Sequence, residues 1–196
     1  MYGILENGEV IAKFVTPLSV VSNQPVSVSD TLSLKRKVAA RSAQRWEISS
    51  RLFPLSTDAN ELFTHSVVHG HHTPFDIIVP QNGGVVASRK GSSSPTAVGT
   101  IGASEVILTG SYNTIPAGTF IKFQGHSKVY MVTQESKLST SLKIFPKLIA
   151  GVSTETFDWK DDVTMRCIYD TSTVTGMSYI DGVLMDNGVI SMVEYI

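Results

Sequence analysis

Three side chains in this 196-residue chain have the spacing of a metal site. Glu61, His65 and His69 are each four residues apart, so on an α-helix they share one face. Two imidazoles so placed can hold a borderline cation such as zinc, with the carboxylate as a third ligand. His71 and His72 follow Gly70, in what reads as a solvated turn. The HExxH order, in which a glutamate beside the first histidine acts as general base, is not met, because Ser66 stands there. Glu61, His65 and His69 also lie opposite the apolar positions of the same segment, where an amphipathic helix puts its wet face. The wet-face reading therefore outweighs a metal-dependent enzyme built on these residues. No catalytic residue and no cofactor is expected. Cys167, the single cysteine, sits in an alternating strand between Arg166 and Ile168 and reads as a buried, inert thiol. It excludes an intramolecular disulfide and a cysteine-based zinc site. There is no GxSxG elbow. The tract SRKGSSSPT at 88–96 departs from a phosphate loop, since Gly91 follows Lys90 instead of preceding it.

The element that must position the histidines is the clearest in the chain. Between Gln44 and Pro80 the pattern reads strand, short helix, strand. Trp46, Ile48 and Leu52 fall on one face of an extended segment; Arg45, Glu47, Ser49 and Arg51 fall on the other. Pro54 stops that strand, and Ser56 or Thr57 caps a helix with Asp58 and Glu61 in its first turn. Ala59, Leu62, Phe63, Ser66 and Val67 are the expected buried stripe, and Gly70 the C-terminal stop. After Pro74, the residues Phe75, Ile77 and Val79 alternate as a half-buried strand.

Upstream, residues 9–21 are apolar and β-branched, with Pro17 predicting an edge strand or a kink. Residues 22–31 read as a polar connection. The run from Leu32 to Phe53 predicts a long hairpin with Arg41, Ser42 and Ala43 as its loop. That register sets Val38 opposite Trp46, Leu32 opposite Leu52 and Lys37 opposite Glu47. It also collects Lys35, Arg36, Lys37, Arg41, Arg45 and Arg51, the one concentration of positive charge. Nucleic-acid binding would want aromatic residues interleaved on that face, and the only nearby one, Trp46, falls on the apolar side. A solvated face or an intersubunit contact is the better reading, with Lys35, Lys37, Arg41, Arg45, Glu47 and Arg51 as interface candidates.

Composition agrees with an ordinary globular chain: 42% hydrophobic, 17% charged, and a formal net charge of -1, which gives no general drive towards nucleic acid. No signal peptide, membrane span or membrane anchor is expected, since Glu6 and Glu9 interrupt the start early and no apolar run is long enough. Beyond residue 96 the text changes to short strands separated by turns: 105–109, 119–123, 128–133, 141–145, and then 163–169, 177–185 and 189–196. Asp186-Asn187-Gly188 is a tight-turn signal between the last two. The class is mainly β, with one helix. The expected architecture is a β-sandwich with a long hairpin and a flanking helix, from 1–86 with 150–196. A small β-barrel or sandwich is inserted at 87–149.

The order of these elements resembles the distal tail and tail-tube-like proteins of tailed bacteriophages. The resemblance rests on the proline-bearing first strand, the charged hairpin, RWEISSRLFPLSTDANELFTHSVVHG followed by PFDIIVP, and IPAGTFIKFQGHSKVYMVT followed by SLKIFPKL. It covers most of the chain as a pattern. It implies a structural virion protein of the tail or baseplate, assembled in the host cytoplasm into a ring, expected as a hexamer. Its implied partners are further copies of itself and tail-tube, hub or baseplate proteins, with DNA only passing through the channel. The hairpin would augment a neighbour's sheet. A ligand-binding β-module at the phage tip is the remaining alternative, with Tyr112 and Tyr130 as its aromatic candidates.

Overall fold

The computed structural model describes residues 3–32, 35–40, 43–52, 57–81, 95–110, 114–136, 141–160, 163–171, 178–181, 183–186 and 189–196. Among them the chain is mainly β, with one helix. Six strands close into a first barrel: β1 (Gly3–Glu6), β2 (Glu9–Asn23), β5 (Arg45–Leu52), β16 (Val189–Glu194), β13 (Thr164–Tyr169) and β6 (Phe75–Ile78), in that order round the wall. The expected sandwich unit thus takes the form of a sheet closed on itself. Six more strands close a second barrel: β10 (Tyr130–Val132), β11 (Ser141–Phe145), β8 (Glu105–Thr109), β7 (Thr96–Gly99), β12 (Val152–Asp158) and β9 (Phe120–Phe123). The expected boundary at 150 gives β12 to the first unit. Instead β12 pairs with β7 and β9, because Val152 and Phe157 fill the second barrel.

Closure depends on strands that alternate. In β5, Trp46, Ile48 and Ser50 point inward, as expected from the sequence period. Ile4, Ala12, Phe75, Ile77, Met165, Cys167, Ile190 and Met192 complete the first core. The second is filled by Phe123, Phe157, Tyr130, Trp159 and aliphatic residues. Far from lying at an edge, β2 is flanked by β1 and β5. Its register slips between Val15 and Ser19, so the expected kink at Pro17 is a bulge, where a missing N–H interrupts no ladder.

The expected hairpin of Leu32 to Phe53 is not formed: its second arm, β5, pairs with β2 and β16 in the barrel, and its first arm turns back on the residues before it. β4 (Arg36–Ala40) pairs with β3 (Val26–Asp30), setting Val38 opposite Val28 and Lys37 opposite Ser29. Trp46 faces Ser22, and Glu47 lies between Val21 and Val193. The Lys37–Glu47 pairing is therefore not made. Residues 22–31, expected as a polar connection, carry the outgoing strand, and the turn lies at 31–35. Thr31 closes it: its N–H donates to the Lys35 carbonyl at 3.0 Å, and its Oγ1 accepts from the Lys35 N–H at 3.1 Å. Two interactions won over the predicted loop. Val26 and Val28 suit a pleated strand, and the Asp30–Arg36 ion pair at 3.2 Å sets the register at the tip.

The helix α1 (Thr57–His69) packs on β2. Gly70 ends it in the left-handed region (φ 56°), its N–H donating to the Ser66 carbonyl at 2.9 Å. A short hairpin, β14 (Ser178–Ile180) with β15 (Val183–Asp186), stands where one strand at 177–185 was expected. Asn187 and Gly188 lie outside the described residues, as do residues 88–94 of the glycine- and serine-rich tract. Among the described residues no helix is long and apolar enough to cross a membrane.

Candidate functional site

The helix is rotated relative to its expected orientation. Ser66 is buried as expected, but His65 is buried too, 4% exposed, whereas Val67, expected on the buried stripe, is 65% and Val68 70% exposed. The histidine thus lies on the core side and the valines on the wet side. Aromatic partners explain why: the His65 ring stands edge-on to Phe75 at 4.9 Å, and its Nδ1 shares a hydrogen bond with the Tyr169 hydroxyl at 2.8 Å. The Ser66 hydroxyl donates to the Phe63 carbonyl at 2.8 Å, so it is satisfied within the helix. Burial, and then the neighbouring His69, depress the His65 pKa to about 4, which keeps the ring neutral. Burial also raises the Tyr169 hydroxyl well above its usual range.

His65 and His69 do not form a chelate. Their rings stack at 3.8 Å between centroids and 16° between planes, so their lone pairs run side by side instead of converging on one point. His69 Nδ1 lies 3.2 Å from the His65 carbonyl, and His65 Nε2 is buried with no partner. Glu61 is exposed, as are His71 and His72. Among the described residues no group of three or more histidine, cysteine, aspartate or glutamate side chains is placed to hold a metal. The helix does border a cleft of about 420 Å³, lined by Glu6, Ile11, Glu61, Thr64, His65, Val68 and His69. Cys167 is fully buried, and burial pushes its thiol well above the usual range, as an inert thiol requires.

The interface candidates divide into two groups. Lys35 and Lys37 lie exposed at the tip of the β3–β4 ribbon. Arg45 and Glu47 lie at its root and bind one another at 3.1 Å, with Asn23 donating to the same carboxylate oxygen at 2.6 Å. The Arg51 backbone sits in β5 opposite Val15 and Val189. Arg41 lies outside the described residues, and so does Tyr112. Tyr130 is wholly buried; its hydroxyl is 2.9 Å from His126 Nδ1 and accepts from the Ile149 N–H at 3.3 Å. That removes one of the two aromatic candidates for a ligand surface. Trp46 is also buried, so it offers no stacking platform for a base.

Every described side chain of β3 is exposed, and so are those of Arg36 to Ala39 in β4. Val26, Val28 and Val38 are more than half exposed, and Leu32 at the tip reaches 108%. Among the described residues β3 and β4 pair only with each other, so both outer edges of the ribbon are free. An isolated two-stranded sheet is marginal in water. Such a ribbon is a surface awaiting cover.

Sequence reasoning missed the joint between the barrels. Glu194, at the end of β16, accepts from the Trp46 N–H at 3.1 Å and from the Val129 N–H at 2.9 Å, and pairs with the Lys128 ammonium. The two charged side chains are 0% and 1% exposed. Lys128 also donates to the Gln44 carbonyl at 3.0 Å, and the Trp46 indole N–H to the Val129 carbonyl at 2.8 Å. Burial lowers the Lys128 pKa, and the Glu194 carboxylate partly offsets this. At a second point the Gln81 amide grips the Phe120 backbone with both ends, at 2.7 and 3.0 Å. The Trp46 ring meets Phe120 and Phe145 edge-on across the same joint. One signal was present in the sequence: Glu194 continues the inward-facing series Ile190/Met192/Glu194 of β16, whereas Lys128 lies just before β10 and carries no such signal.

No protein-family model matches the chain, and a search of curated proteins finds no match.

Proposed function

We propose that this chain is a structural, ring-forming component of a bacteriophage tail or baseplate, linking the tail tube to more distal parts. The observation that carries the reading is the β3–β4 ribbon. A solvent-exposed two-stranded arm with apolar side chains and two free edges has no use in a solitary molecule, but serves as a contact element between copies. Its tip lies eight residues beyond the last β2–β5 pair, Asn23 with Arg45, a reach of about 25 Å at ordinary strand rise. A ring needs this kind of unlike contact, in which one surface of each subunit meets a different surface of the next. The test is electron microscopy of the concentrated protein and of purified tails. Closed rings containing this chain are expected, and its absence from both rings and tails refutes the proposal.

A further inference from the structure

We infer that the tip of the β3–β4 ribbon of one copy docks in the cleft between α1 and the β1–β2 hairpin of the next; this rests on the ring reading above. The first step is topological. Both barrels are closed, so neither offers a free edge to which a neighbour's strand can add. The ribbon can meet a neighbouring barrel only through its side chains. That replaces the expected augmentation of a neighbour's sheet with a plug and a socket.

Leu32 suits the plug, being a branched apolar side chain with nothing against it. Lys35 and Lys37 flank it, whereas Arg36 is already engaged by Asp30. The cleft beside α1 is the complementary shape and charge. Ile11 and Val68 give it apolar walls, Glu6 and Glu61 stand exposed on its rim, and Glu9 pairs in register with Glu6 on the same hairpin. At about 420 Å³ it has room for a leucine side chain with part of its turn. The buried, neutral His65 adds no charge to oppose the incoming ammonium groups. A second cleft of similar size, about 460 Å³, lies at the ribbon's own root, but Arg45 lines it and its carboxylate, Glu194, is neutralised by Lys128. A basic tip is therefore steered to the helix cleft. The two surfaces lie on different parts of one molecule, the unlike contact that a ring requires.

Disulfide trapping tests this on the full chain. Leu32→Cys with Val68→Cys, in a protein whose own Cys167 is buried, should give a ladder of cross-linked oligomers on oxidation. Lys35→Glu with Lys37→Glu should weaken self-association about tenfold or more. Adding Glu6→Lys and Glu61→Lys to that variant should restore association, because the swapped charges pair again. Rings by microscopy with no Leu32–Val68 cross-link, and normal assembly of the reversed-charge variant, would overturn the docking while leaving the ring intact. Absence of both rings and cross-linked species would overturn both.

Discussion

The imidazole of His65 is held neutral among Phe75, Tyr169 and His69, and this couples the fold to pH. Its pKa is near 4 in the folded chain against 6.5 when exposed, so below 6.5 the unfolded chain binds the extra proton. Stability is therefore complete above pH 6.5 and declines as pH falls through 4, by roughly 3 kcal/mol from this residue. Denaturant melts across that range should show the slope, and His65→Phe should remove most of it; an unchanged slope would exclude the assignment. Glu194 presents a different case, since its carboxylate serves two backbone N–H groups as well as the Lys128 ammonium. Glu194→Ala should cost about 3–5 kcal/mol. Lys128→Met alone should cost a similar amount, and adding Glu194→Gln should recover only part of the loss, because the amide oxygen can accept from one of the two backbone N–H groups while its NH2 faces the other. Chemical denaturation of the single and double variants gives the comparison. Losses no larger than those of a surface substitution would show that the pair is not load-sharing. The inward position of Glu194 was readable from strand alternation in β16. Its pairing with Lys128 was not, because 66 residues separate them and the contact exists only once two barrels have formed.

Among the described elements, the β3–β4 ribbon stands apart by its exposure. Its strands bury almost nothing, so its amide hydrogens should exchange fast in the isolated chain and become protected on assembly. Hydrogen exchange of free and assembled protein measures this. Equal protection in both states would contradict a contact role. Alternation across Arg45–Leu52 made that strand legible, but not its partners: it pairs with β2 and β16 in the barrel, and β4 turns back on β3 instead. Local apolar pattern favoured a loop at 41–43, but the outgoing strand contains the alternating valines of VSVSD, and Thr31 with Lys35 closes the chain ten residues earlier. The helix followed the same rule. Its bounds were set by local chemistry, with Gly70 ending it as expected. Its facing was set by tertiary partners, since Phe75 and Tyr169 accept an imidazole and leave Val67 and Val68 to solvent.

For the whole molecule, the mainly-β class and short-strand rhythm could be read from sequence, because inward positions recur with period two. Closure of both sheets could not, since it depends on β1 meeting β6 and on β9 meeting β12, pairs far apart in the chain. The joint between the closed units has a further consequence. Hydrogen bonds at Glu194, Lys128 and Trp46 on one side and at Gln81 on the other hold it at two separate places, which restricts swivelling of one barrel on the other to the line that joins them. Small-angle scattering should accordingly fit one rigid shape for the parent chain. Undocking by Glu194→Ala should broaden the distance distribution, and an unchanged profile would count against the joint's role. In a ring of such subunits, the second barrels would share the angular phase of the first. Whatever is carried on them would inherit the rotational register of the ring.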